Sequence, residues 1–157
     1  LKRLDKTISI SETAVEHFRN IPSEQTWLLI AESWCADAVH TIPVLHKITS
    51  ENPKLDLKIV MRDENEQLMN HFLTNGAKSI PKLIILDKDH NVIDTWGPRS
   101  TNATELVVHY KKEHGVTDDT FKRNLQVWYN QDSGKSIVED LVALSSRGLE
   151  RLKTEIA

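Results

Sequence analysis

The chain has little cysteine, little glycine and no long apolar run. Its 157 residues include one cysteine and five glycines. A single cysteine excludes an internal disulfide and a cysteine-rich metal framework, and it favours a reducing compartment, so we expect a cytoplasmic location. The chain has neither a glycine-rich phosphate loop nor a Gly-x-Ser-x-Gly turn, which argues against nucleotide-binding and hydrolase functions.

Charge and hydrophobicity exclude further classes of protein. The 20 basic and 23 acidic residues give a net charge of -3, so we expect neither nucleic acid nor an anionic membrane as a partner. No segment approaches the roughly 18 uninterrupted apolar residues that cross a bilayer. A hydrophobic content of 39% at this length is enough for one domain with a full core. The chain begins at Leu1 rather than Met, and the sequence leaves open whether a leader precedes it.

Cys35 lies where a strand pattern changes into a helix pattern. The continuous apolar run from Trp27 to Ala31 is typical of a strand that is covered on both faces. After the cysteine, apolar residues recur at helical spacing, at Ala38, Ile42, Leu45 and Ile48. We therefore expect Cys35 in the first turn of a helix, where free backbone N–H groups and the helix dipole stabilise a thiolate. The simpler interpretation is a small, partly buried apolar residue.

The remaining patterns predict a mixed sheet with helices. Alternation at Ile8 and Ile10 suggests a short edge strand, and Ser11 is a candidate N-cap for a helix that ends near Asn20. Further strands are predicted at 55–61, 83–86 and 92–96, and further helices at 64–73 and 104–113. The helical connections predict that the strands at 27–31, 55–61 and 83–86 run parallel, and the short turn before residue 92 makes the last strand antiparallel.

Two more helices are predicted after about Thr117. The first carries Phe121, Leu125 and Trp128 at helical spacing, and the second carries Ile137, Leu141, Leu144 and Leu152. Stripes of this kind usually pack on a neighbouring core. We therefore divide the chain into a domain at 1–116 and a helical extension at 117–157 that packs on the same domain.

Three separated motifs carry a resemblance to a known family. They are the segment ESWCADA around Cys35, the segment IPKLIILD that begins at Ile80, and the pair Trp96-Gly97. Together they resemble the thioredoxin superfamily, whose pattern is a Trp-Cys-x-x-Cys turn, a cis-proline facing it, and a glycine after the last strand. The resemblance implies an α/β fold with a thioredoxin-like mixed sheet of four to five strands flanked by helices.

The chain departs from the family at two positions of the active-site machinery. Ala38 stands where the family has its second, resolving cysteine, and Leu29 stands where thioredoxins commonly bury an acid. The resemblance therefore implies that Cys35 attacks a disulfide and that an external thiol such as glutathione resolves the product, with no other cofactor. The expected partner is a protein or a low-molecular-weight thiol or disulfide. The alternative is a redox-silent module that binds proteins through the same fold.

We assign candidate roles to five residues. Cys35 and Asp37 are the candidate catalytic residues, and Trp34, Ile80 and Pro81 are the candidate substrate-binding residues. Asp37 either complements the helix dipole or exchanges a proton with Cys35. By resemblance, a cis bond before Pro81 leaves the Ile80 backbone free to pair with an extended substrate. A strand-initiating proline and a core tryptophan are the simpler interpretations of Pro81 and Trp34.

The seven histidines do not predict a metal site. His40 and His46 share the predicted helix of Cys35, but their spacing of six places them on different faces. Cys35 and His40 are also not at the i, i+4 spacing of a ligand pair. Arg99 follows Gly97 and Pro98 near the expected rim of the site, and the sequence assigns it no role.

Overall fold

The computed structural model describes residues 8–156, with side chains through Ser146. Residues 1–7 of the predicted first domain and the Leu152 side chain lie outside this part. The helices are α1 (Glu12–Arg19), α2 (Ala36–Thr49), α3 (Glu66–Asn70), α4 (Thr101–His114), α5 (Asp119–Asp132) and α6 (Lys135–Ile156). The strands are β1 (Gln25–Ala31), β2 (Leu55–Met61), β3 (Lys82–Leu86) and β4 (Val92–Trp96), and a 3-10 turn spans Arg62–Glu64.

The described strands form one mixed sheet in the order β2-β1-β3-β4. Strand β1 pairs with β2 in parallel and with β3 antiparallel, and β3 pairs with β4 antiparallel. Trp27, Leu29 and Ile30 of the central strand β1 are fully buried, because alternate side chains point to opposite faces and both faces are covered. The α/β mixed sheet with flanking helices confirms the predicted fold class.

The direction of β3 corrects the predicted topology. Met61 at the end of β2 lies opposite Ala31, and Lys82 at the start of β3 lies opposite Ile30. The connection therefore leaves and returns at the same end of the sheet, so β3 must run back against β1. The helix in this connection, α3, has five residues and is about 7.5 Å long. A seven-residue strand is about 23 Å long, so α3 is too short to run back along the sheet.

Two predicted elements also differ from the structure. Residues 8–10 are not a strand: Ile8 is buried, and its carbonyl accepts a hydrogen bond from Lys47 Nζ at 2.6 Å. The alternation there reflects a coil packed on the core. The helix predicted at 64–73 contains only α3, because a tight turn that pairs Thr74 with Ala77 follows it. Gly76 has a φ of +79° and serves this turn.

Helix α1 forms as predicted, and α6 packs into the main core. Ser11 Oγ accepts a hydrogen bond from the Ala14 N–H at 3.2 Å, as an N-cap does. The Phe18 ring packs edge-on against Trp27, with ring centroids 6.2 Å apart. The same core cluster includes four residues of α6, namely Ile137, Val138, Leu141 and Leu144. None of the helices in the described part is long and apolar enough to cross a membrane.

Helices α4 and α5 bury a smaller cluster of their own. Its members are Val107, Phe121, Leu125 and Tyr129. The predicted stripe of α5 included Trp128, but that side chain is half-buried, and the fully packed residue at the next position is Tyr129. Phe121, Leu125 and Tyr129 are spaced four residues apart, which places them on one side of the helix.

Candidate functional site

Cys35 is the N-cap residue of α2, directly after the loop that leaves β1. Its backbone is extended, with a φ of -79° and a ψ of 117°, and its side chain is 8% exposed. The thiol donates a hydrogen bond to the carbonyl oxygen of Ile80, with a distance of 3.7 Å between sulfur and oxygen. The sulfur therefore lies at the start of a 14-residue helix and against the segment that begins β3.

Ile80 and Pro81 form the wall that faces the thiol. Both residues are buried, and the peptide bond between them is cis. Gly97, after β4, packs directly on this wall: a Cβ at Gly97 would lie 2.4 Å from the Pro81 carbonyl oxygen. The ends of β1, β3 and β4 thus bring Cys35, Pro81 and Gly97 together, although they are far apart in the sequence.

Trp34 lies on the outer rim of this site. Its side chain is 65% exposed, so it is not a core tryptophan. The guanidinium carbon of Arg62 lies 5.2 Å from the centroid of its ring, within cation–π range. Arg62 is held in turn by Asp63 Oδ1 at 3.0 Å and by the Lys78 carbonyl at 3.2 Å. The rim is therefore an exposed aromatic surface with a cation fixed beside it.

Both oxygens of the Asp37 carboxylate are occupied by hydrogen-bond donors. Arg99 Nη2 lies 3.1 Å from Oδ2, and Arg99 Nε donates to Oδ1 at 3.3 Å. The Tyr129 hydroxyl also donates to Oδ1, at 2.7 Å. The Asp37 side chain is only 14% exposed, which makes this contact stronger than a surface ion pair. Asp37 therefore does more than complement the helix dipole, because it links α2 to Arg99 and to α5.

Tyr129 is anchored on its other side by the histidine of α2. The His40 ring stacks on the Tyr129 ring with centroids 4.5 Å apart and an angle of 5° between the planes. His40 Nε2 also lies 2.6 Å from Gln126 Oε1, one turn earlier on α5. Burial raises the pKa of Tyr129 well above its ordinary value, and the negative charge of Asp37 adds to this effect. The phenol therefore stays protonated and acts as a hydrogen-bond donor.

The two positions that depart from the family pattern are apolar and closely packed. Ala38 is 2% exposed and Leu29 is fully buried. Neither position can supply a thiol or a proton. Within the described residues, no group of three or more histidine, cysteine, aspartate or glutamate side chains is arranged to hold a metal ion.

The candidate residues fall into two groups in the structure. The Cys35 thiol contacts Ile80, which precedes Pro81, and Trp34 lies exposed beside the cysteine. The Asp37 side chain instead binds Arg99 and Tyr129. Arg99 had no predicted role, and Tyr129 was not among the predicted site residues. The available signal was a tyrosine on the apolar stripe of α5, since a buried phenol hydroxyl needs a hydrogen-bond partner.

Comparisons with known proteins agree with the fold and match the first three quarters of the chain. Residues 1–118 match the model of a protein family described as Thioredoxin. No curated protein matches the chain at a significant level. A solved structure of a Pseudomonas aeruginosa protein of unknown function is similar, with 16% identity, a TM-score of 0.69, and coverage of 92% of this chain and 81% of that one. An HIV epitope scaffold is similar at 15% identity with a TM-score of 0.68 and the same coverage.

Proposed function

The chain belongs to the thioredoxin family, and we propose that it exchanges thiols and disulfides through Cys35 alone. One observation carries the proposal: Cys35 occupies the N-cap position of the 14-residue helix α2, and its thiol donates a hydrogen bond to the Ile80 carbonyl at 3.7 Å. The helix N-terminus favours a thiolate, which is the attacking species. The exposed Trp34 and the Ile80-Pro81 segment are proposed to contact the substrate.

The exchange takes place in two balanced steps. The Cys35 thiolate attacks one sulfur of a disulfide, a bond forms between the two sulfurs, and the other half of the disulfide leaves as a thiolate. A second, external thiolate then attacks the substrate sulfur of this mixed disulfide and releases Cys35 as a thiolate. The external thiol is the net reductant. We propose an external thiol because the chain has no second cysteine.

Glutathione disulfide is a direct probe of the first step. We expect the folded, reduced protein to gain one glutathione by intact mass, and to lose it again when reduced glutathione is added in excess. The rate should exceed that of the same chain in urea at the same pH, because unfolding removes the helix N-terminus. Cys35→Ser is the control and should gain no mass. A thiol that reacts only in urea would contradict the proposal.

The second candidate function is a redox-silent protein-binding module. It is favoured by the exposure of Trp34 beside the fixed Arg62 guanidinium, since aromatic and arginine side chains dominate binding surfaces. A displayed library of cysteine-free peptides can be selected against Cys35→Ser. Enriched peptides that no longer bind after Trp34→Ala would support the module. A folded Cys35→Ser protein that enriches no peptide would count against it.

A further inference from the structure

Helix α5 contributes a side chain to the surroundings of the candidate cysteine. The Tyr129 hydroxyl reaches Asp37 Oδ1 at 2.7 Å, across 92 positions of the sequence. Asp37 lies in the first turn of α2, two residues after Cys35 at the N-cap. The Tyr129 hydroxyl therefore binds a carboxylate that lies within one helical turn of the cysteine. Tyr129 lies beyond the residues that match the family model, which end at 118.

A free carboxylate at Asp37 would oppose a thiolate at Cys35, because like charges disfavour each other. The structure supplies a compensating charge. Arg99 makes two contacts with the carboxylate, at 3.1 and 3.3 Å, and its side chain is 30% exposed. Guanidinium stays protonated at any ordinary pH, so the Asp37–Arg99 pair has no net charge next to the cysteine.

We infer that Arg99 and Tyr129 are positioning residues that hold and neutralise Asp37, so that the Cys35 thiolate forms beside it; this inference rests on the proposed function. Arg99 supplies the positive charge, and Tyr129 fixes the carboxylate orientation with a neutral hydrogen bond. The stack of Tyr129 on His40 keeps the hydroxyl aimed at Asp37. In this role, the helix that follows the matched region completes the site.

The segments around the Asp37 carboxylate contribute these charged or ionisable side chains. Arg99 comes from the segment after β4, Tyr129 from α5, and Cys35 and His40 from α2 itself. Cys35 and His40 both carry ionisable side chains, so the experiment must separate them. A measurement that reads the thiolate directly meets this need.

The test is a pH titration of Cys35 that is monitored through the absorbance of the thiolate at 240 nm. Each variant is corrected with the same variant carrying Cys35→Ser, which subtracts tyrosine and histidine signals. We expect Arg99→Gln to move the titration midpoint up by about one pH unit, or about tenfold less thiolate at a given lower pH. Arg99→Lys keeps the charge and should stay close to the parent. Tyr129→Phe keeps the ring stack and should move the midpoint up by less.

Asp37→Asn provides the decisive comparison. It should move the midpoint down, because the negative charge beside the thiolate is lost, and Arg99→Gln should have a smaller effect in the double variant, because no carboxylate is then left to neutralise. Equal shifts from Arg99→Gln with and without Asp37 would overturn the inference, as would unchanged midpoints. If Arg99→Gln does not fold, Tyr129→Phe decides, and an unchanged midpoint in that variant would overturn the inference. The glutathione exchange of the unmodified chain tests the proposed function separately.

Discussion

Gly97 joins two parts of the candidate site that the sequence keeps far apart. Its φ is +112°, a conformation that side chains rarely adopt. A Cβ there would also lie 2.4 Å from the Pro81 carbonyl oxygen, a backbone atom that cannot swing aside. Only glycine allows the end of β4 to lie directly on the wall that faces Cys35. The family's glycine after the last strand thus has a physical reason in this chain.

Gly97→Ala should therefore lower the free energy of unfolding by more than the backbone strain alone. Gly115 ends α4 with a φ of +82°, and a Cβ there would meet nothing within 4 Å. Gly115→Ala should therefore lower the free energy of unfolding only by the backbone strain, about 1–2 kcal/mol. We expect Gly97→Ala to lower the free energy of unfolding, measured in urea, by more than Gly115→Ala does. It should also slow the modification of Cys35, because the Ile80-Pro81 wall must move. Equal losses for the two variants would mean that the contact with Pro81 relaxes freely.

Local residue patterns predicted where Cys35 lies, and the resemblance to a known family added Ile80 and Pro81, but neither predicted the network around Asp37. The apolar run before Cys35 and the helical spacing after it place the cysteine between β1 and α2, and Pro81 directly precedes β3. The partners of Asp37 lie 62 and 92 positions away. No periodicity or motif near Arg99 or Tyr129 points to a carboxylate, because that contact depends on how α5 packs on α2.

At the scale of elements, strand and helix positions were more predictable than strand directions. The apolar runs and alternation placed β1, β2, β3 and β4 to within two residues of their observed bounds. The direction of β3 depends on whether the connection before it crosses the sheet. That depends on the length of α3, which the pattern at 64–73 overestimated, since the helix spans only Glu66–Asn70 and ends before the turn that pairs Thr74 with Ala77.

Helix α5, which delivers Tyr129, begins at a well-defined cap. Asp118 Oδ1 accepts the Phe121 N–H at 2.8 Å, and the Tyr110 hydroxyl donates to the same carboxylate at 2.7 Å. Loss of an N-cap costs about 0.5–2 kcal/mol. Asp118→Ala should lower the free energy of unfolding by an amount in this range, whereas Tyr110→Phe keeps the cap and should cost less. A larger loss from Tyr110→Phe would assign the stability to the phenol instead.

The same cap has a predictable pH dependence. Hydrogen bonds from Tyr110 and the Phe121 backbone lower the pKa of Asp118 below its ordinary value of 3.8. A carboxyl whose pKa is lower in the folded protein than in the unfolded chain stabilises the fold at pH values above its ordinary pKa. This stabilisation is lost as the pH falls towards the lower pKa of the folded state. The difference in unfolding free energy between the parent chain and Asp118→Ala should therefore shrink below pH 3.8.

At the scale of the whole molecule, the core does not end where the family match ends. Leu141 of α6 is 1% exposed and shares one cluster with Trp27 of β1 and Phe18 of α1. The apolar stripe of α6 could be read from the sequence, but the surface it covers could not, because periodicity identifies a buried side without identifying its neighbour. Helix α6 contacts α1, α2, α4 and β4, and these contacts are set by the complete fold.

The contact between α1 and α6 makes stability depend on pH near neutrality. His17 Nε2 lies 2.6 Å from Ser145 Oγ, and the Ser145 hydroxyl donates to the Leu141 carbonyl at 2.7 Å. Burial lowers the pKa of His17 below its ordinary value of 6.5. The unfolded chain consequently binds more protons than the folded chain just below that pH, and the free energy of unfolding falls as the pH drops through this range.

Replacing His17 should reduce that dependence. We expect the free energy of unfolding of His17→Gln, measured in urea between pH 7 and pH 5, to fall less steeply than that of the parent chain, because the buried titrating group has gone. His71 is exposed, and His71→Gln serves as the matched control that should keep the parent slope. The comparison isolates one histidine among seven. Parallel curves for His17→Gln and the parent would mean that the α1–α6 contact opens to water before His17 takes up its proton.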